Sequence, residues 1–96
     1  MKKTFLSLAT VASLMAGVSV SAADPVKVGM ITTLSGGGAS LGIDSRDGFL
    51  LAVKQSGNSE IEVIVEDDAQ KPDLAVQLAD KLIQSDKVDV MTGIIW

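Results

Sequence analysis

Val26-Lys27-Val28-Gly29-Met30-Ile31-Thr32, followed by Leu34-Ser35-Gly36-Gly37-Gly38, is the stretch that decides the fold of this chain. The first run is short, apolar and partly β-branched, which reads as a strand. The second is a glycine-rich loop. A helical pattern opens beyond it, from about Ser40 to Gln55, with Ser45, Gly48, Phe49, Ala52 and Val53 recurring at helical spacing as the expected buried stripe. Gly48 lowers helix propensity by about 1 kcal/mol against alanine, so the pattern predicts that this face lies close against a sheet. Gly57 suits the left-handed residue that closes the helix.

The same alternation continues downstream. Ile61-Glu62-Val63-Ile64-Val65-Glu66 reads as a second strand, and Asp67 to Lys71 as the loop after it. Pro72 fits the first position of a second helix, where its missing N–H is not needed. Asp73 favours the helix dipole there, while Lys71 at the capping position is a poor cap. Leu74, Ala75, Leu78, Ala79, Leu82 and Ile83 form an amphipathic stripe to about Ser85. Val88 to Thr92 reads as a third strand, ending at Gly93. The order β-α-β-α-β implies a parallel sheet. With strand order 2-1-3 the helices cover opposite faces, and the third strand becomes an apolar edge of the kind that needs a neighbour.

Upstream, Lys2 and Lys3 precede an uncharged stretch from Phe5 to Val18, and Val20-Ser21-Ala22-Ala23 supplies small residues. This reads as a secretory signal peptide over residues 1–23, cleaved after Ala22 or Ala23. The stretch of roughly 15 residues falls short of the ~20 that cross a bilayer. Export places the mature chain, residues 24–96, in the periplasm. Losing Lys2 and Lys3 makes it more acidic than the net charge of −4 for the whole sequence. Dispersed acidic residues, without a basic patch or aromatic series, argue against nucleic acid. The sequence has no cysteine and no histidine, which excludes disulfides and most zinc, copper and thiol sites. No cofactor and no metal are expected. A mature chain this short buries only about 60% of its unfolded surface, and it stops at Gly93-Ile94-Ile95-Trp96. It is therefore expected to be the N-terminal part of a longer protein.

Three places could carry chemistry. The loop Leu34 to Gly42 lacks the Gly-Lys-Ser/Thr ending of a P-loop, and its glycines miss the spacing of a dinucleotide fingerprint. Glu66 does stand where such folds keep a ribose-binding acid. The loop is thus a ligand-lining segment at a helix N-terminus, whose free N–H groups favour an anion, or a flexible connection. Asp67 and Asp68 are a possible metal or acid/base pair, but adjacent carboxylates at a strand end more often cap backbone N–H groups or face solvent. Trp96, just past the third strand, either packs in the core or lines a site. Open α/β sheets bind ligands at the carboxyl ends of strands where the order reverses. In a 2-1-3 sheet, the glycine-rich loop and Trp96 then share one rim.

As an ordered set, Val26 to Gly36, Gly42, Arg46-Asp47-Gly48-Phe49-Leu50-Leu51-Ala52-Val53, Glu66-Asp67-Asp68, the Pro72 helix and Asp86 to Gly93 resemble the start of leucine/isoleucine/valine-type periplasmic binding proteins. These type I proteins are the solute receptors of ABC importers. The resemblance implies two α/β lobes joined by a hinge, of which this chain supplies the Rossmann-like, parallel-sheet start of the first. It implies binding of a small carboxylate-bearing solute, an amino acid or aromatic acid, without turnover. A membrane permease is the implied partner, and the full-length protein is expected to be monomeric. Carried over, Ser40 and Leu41 in the first loop and Trp96 after the third strand are the candidate ligand-binding residues. The hydroxyl-bearing residues that hold an amino acid's carboxylate in the family lie beyond Trp96. Leu41 stands where the family often has a polar or aromatic residue, which turns the expectation from branched-chain amino acids toward aromatic carboxylates. The rival readings are a periplasmic ligand-sensing domain of the same fold and an α/β enzyme.

Overall fold

A computed structural model describes residues 24–96; the signal-peptide reading of residues 1–23 lies outside the described residues. The elements run β1 (Val26–Thr32), α1 (Ala39–Ser56), β2 (Ile61–Asp67), α2 (Pro72–Gln84) and β3 (Val90–Thr92). The sheet has the order β2-β1-β3. Both pairings are parallel, with Val28 opposite Val63 on one side and Val90 on the other. The α/β class and the parallel sheet are therefore as the sequence implies, and the 2-1-3 order, one of those open to it, is the one adopted.

Strand β1 is the centre of the molecule. Five consecutive residues, Val28 to Thr32, are buried, as a strand covered on both faces requires. Successive side chains of a strand point to opposite faces. On one face, Val26 and Val28 meet Phe49 and Val53 of α1 across an apolar groove. On the other, a β-carbon added to Gly29 would lie 3.1 Å from Leu82 of α2 and 3.1 Å from Met91 of β3. The two helices accordingly sit on opposite faces.

Helix α1 departs from the expected stripe. Phe49 and Val53 are half-buried, but Ser45, Gly48 and Ala52 are exposed, and the remaining inward positions are Ala39, Gly42, Ile43 and Arg46. A β-carbon on Gly48 would meet nothing within 4 Å, whereas one on Gly42 would sit 1.6 Å from the Thr33 carbonyl oxygen. The close approach to the sheet is thus made at Gly42, at the start of the helix, and it sets the face 42, 46, 49, 53. Gly57 closes α1 at φ 65°, its N–H bonded to the Lys54 carbonyl at 3.2 Å. Helix α2 starts as read, with Lys71 as an N-cap that makes no side-chain bond and Pro72 in the first turn. Its stripe holds except at Ile83, which is exposed.

The third strand is shorter than Val88–Thr92. Lys87 adopts φ 56°, and the Val88 N–H still bonds the Leu82 carbonyl at 3.1 Å. The Asp89 carboxylate then takes the Lys27 N–H at 2.9 Å while the Asp89 N–H donates to the Lys27 carbonyl at 2.8 Å. A side chain occupies the place of a ladder carbonyl, so pairing begins only at Val90. Farther along α2, Lys81 bridges the carboxylates of Glu66 and Asp86, and these partners, Glu66 first, hold its ammonium above its ordinary pKa. This arrangement engages Glu66 with α2, the residue that the sequence set beside a ribose-binding acid.

Candidate functional site

The parallel order brings the carboxyl ends of all strands, and the starts of both helices, to one edge. There the register sets Thr32 opposite Asp67, which carries Thr33 to Asp68. Asp67 Oδ1 accepts the N–H groups of Leu34 and Ala69, each at 2.8 Å, and its Oδ2 accepts the Ser35 hydroxyl at 2.6 Å. The Ser35 hydroxyl first, then these N–H groups, hold the Asp67 carboxyl below the ordinary carboxylate range. Asp68 is 5% exposed. Its Oδ1 accepts the Thr33 hydroxyl at 2.6 Å and the Gln70 N–H at 2.9 Å. Ala69 and Gln70 are left-handed, at φ 50° and 61°, a conformation that costs about 1–2 kcal/mol per non-glycine residue. The bonds from Asp67 and Asp68 to their N–H groups offset that cost. Of the two readings of this pair, the capping one describes what the carboxylates do here. Among the described residues no group of acidic side chains is arranged to hold a metal ion.

Trp96 lies at the same edge. Its indole N–H donates to the Thr33 hydroxyl oxygen at 3.1 Å, and its ring rests against the loop. A β-carbon on Gly38 would come within 2.9 Å of Trp96 Cζ2 and 3.2 Å of Gln70 Oε1, whereas Gly36 and Gly37 face open space. Among the described residues the indole is 59% exposed. With Asp68, Gln70, Lys71, Pro72 and Ile94 it lines a cleft of about 50 Å³.

Ser40 and Leu41 are exposed in the first turn of α1, not in the loop before it. Gly38 caps this helix without a side-chain bond and the first turn carries no acidic residue. Ala39 N–H turns back to Gly36 and Gly42 N–H to Gly38, and among the described residues no acceptor sits on the N–H groups of Ser40 and Leu41. The structure thus brings Trp96 to the glycine-rich loop, while the cleft that Trp96 lines contains neither Ser40 nor Leu41. Thr33 and Gln70 were not singled out from the sequence. The signal was available in part, because a parallel β1–β2 pair must set the residue after β1 beside Asp68. The groups gathered in this cleft are an indole face and an amide, which suit recognition of a molecule with a polar and an apolar part.

Residues 25–96 match the model of a family described as periplasmic binding protein. Among solved structures, the chain is 33% identical to an ABC transporter substrate-binding protein from Sphaerobacter thermophilus, with a TM-score of 0.69 over 74% of this chain and 20% of that one. It is 42% identical to a solute binding protein of an ABC transporter from Rhodopseudomonas palustris BisB5, crystallised in complex with 3,4-dihydroxy benzoic acid. There the TM-score is 0.68, covering 71% of this chain and 20% of the other. The chain thus spans about a fifth of the length of these solved relatives. No curated protein matches it.

Proposed function

The chain belongs to the periplasmic binding protein family, and from that premise we propose that it forms the start of the first lobe of an extracytoplasmic receptor for an ABC importer. In this reading the receptor binds a small aromatic carboxylate reversibly, passes it to a membrane permease and performs no chemistry on it. The observation that carries the reading is Trp96, an exposed indole pinned by its N–H to Thr33 at the carboxyl edge of the sheet, beside a helix start whose Ser40 and Leu41 N–H groups meet no acceptor among the described residues. An aromatic ring stacks on such an indole in offset or edge-to-face geometry, worth about 0.5–1.5 kcal/mol beyond the area buried. A helix N-terminus favours the carboxylate. The 42% identity to a solute binding protein that holds 3,4-dihydroxybenzoate supports the aromatic class over branched-chain amino acids. The signal peptide over residues 1–23 and export to the periplasm fit the same role, as does a monomer that closes around its solute.

Calorimetric titration of the full-length protein with 3,4-dihydroxybenzoate, benzoate, leucine and valine tests the proposal. Binding of the aromatic acids, with each recovered unchanged by chromatography, is the expected result. Preference for leucine or valine would overturn the solute class, and conversion of any of these compounds would make the protein an enzyme.

A further inference from the structure

We propose that Asp68 and Thr33 are positioning residues that fix the Trp96 indole and the Gln70 backbone beside Gly38, and so set the shape of the solute rim. The inference rests on the receptor reading above. Asp68 is buried and its Oδ1 is an acceptor twice over, taking the Thr33 hydroxyl at 2.6 Å and the Gln70 N–H at 2.9 Å. A hydroxyl has one proton to give. With that proton committed to Asp68, the Thr33 oxygen is left to accept, and the group it accepts from is the Trp96 indole N–H at 3.1 Å. Asp68 therefore sets the direction of the whole chain of bonds, and an indole, a donor only, matches that direction.

The second arm of Asp68 holds Gln70. Its bond to the Gln70 N–H stabilises a left-handed residue, φ 61°, and the Gln70 amide oxygen and the indole both come within 3.2 Å of where a β-carbon on Gly38 would stand. Trp96 itself is 59% exposed, so ring packing alone leaves it many orientations. Thr33 is fully buried and anchored, and the single bond from it selects one. The consequence is a rim that presents an indole in fixed orientation with the Gln70 amide near it, which suits an aromatic ring bearing polar substituents. Thr33 and Asp68 touch no solute in this scheme; they act through the groups they hold.

The test uses the full-length protein labelled with 15N at tryptophan, the Trp96 indole resonance being assigned by its loss in Trp96→Phe. Thr33→Val removes the hydroxyl at nearly constant shape, and Thr33→Ser keeps it. In Thr33→Val without solute, exchange of the Trp96 indole proton should quicken by about tenfold or more, while Thr33→Ser stays near wild type. Affinity for 3,4-dihydroxybenzoate should fall by about tenfold in Thr33→Val and be restored in Thr33→Ser. Trp96→Phe, an exposed change that leaves the buried pair in place, should lose affinity comparably. Unchanged indole exchange in a folded Thr33→Val protein would overturn the relay. Quickened exchange with unchanged affinity would overturn its role in recognition. If the wild-type protein fails to bind the probe, the aromatic-solute reading falls, and indole exchange still decides whether the relay orients Trp96.

Discussion

Asp67 accepts three hydrogen bonds from the loops it joins, from Leu34, Ser35 and Ala69, and these bonds predict a pH dependence for this edge of the sheet. Its carboxyl is held below the ordinary range, chiefly by the Ser35 hydroxyl. The unfolded state therefore takes up the proton first, and the contribution of Asp67 to stability is full above about pH 4 and lost as pH falls through the lower, folded value. In denaturant titrations across pH, Asp67→Asn should flatten the acid limb of stability and leave its pH dependence near neutrality unchanged. An acid limb of the same slope in the variant would show that Asp67 is not a source of it. The capping habit of Asp67 and Asp68 was legible in the sequence because it is local: a carboxylate at a strand end reaches N–H groups two residues on. Thr33 was not legible, because its partners stand 35 and 63 residues away and become neighbours only once the parallel register is known.

The helices and strands follow their periodicity closely, and the failures have a common origin. Helix α1 was assigned the face of Gly48, since a mid-helix glycine suggests close packing; the contact is instead at Gly42, where a backbone carbonyl fills the space of a β-carbon. Sequence pattern alone does not separate a glycine that makes room from one that merely lies on the exposed side. The difference is measurable. Gly42→Ala should destabilise the full-length protein by about 3 kcal/mol, because the obstructing atom is backbone and α1 must lift from β1. Gly48→Ala should stabilise it by roughly 0.5–1 kcal/mol through helix propensity alone. Chemical denaturation of the pair checks both, and a destabilising Gly48→Ala would return that face to the sheet. Strand β3 was overdrawn by two residues for a similar reason. Val88 and Asp89 have strand-like identities, yet Lys87 turns the chain and the Asp89 carboxylate takes the Lys27 amide that a ladder carbonyl would have taken.

At the scale of the molecule, the alternation of elements was enough to give the class and the parallel sheet, since both follow from connection rules and not from side-chain detail, whereas the order β2-β1-β3 is set by the structure. What a linear reading leaves open is which exposed apolar groups belong to a site. Leu41, Leu50, Leu51, Val76, Ile83, Val90, Ile94, Ile95 and Trp96 are all exposed; Leu41, Ile94, Ile95 and Trp96 stand at the carboxyl edge, and of these Trp96 is the one tied to a buried hydroxyl. Geometry, not hydropathy, singles it out. The central claim is that this edge forms one wall of a solute cleft, and the most direct measurement is the affinity of full-length wild type and Trp96→Ala for 3,4-dihydroxybenzoate, by calorimetry under identical conditions. Loss of about 1–3 kcal/mol of binding in the variant, with its folding stability retained, is the predicted result. Equal affinity in the two proteins would remove Trp96 from the cleft and contradict the claim.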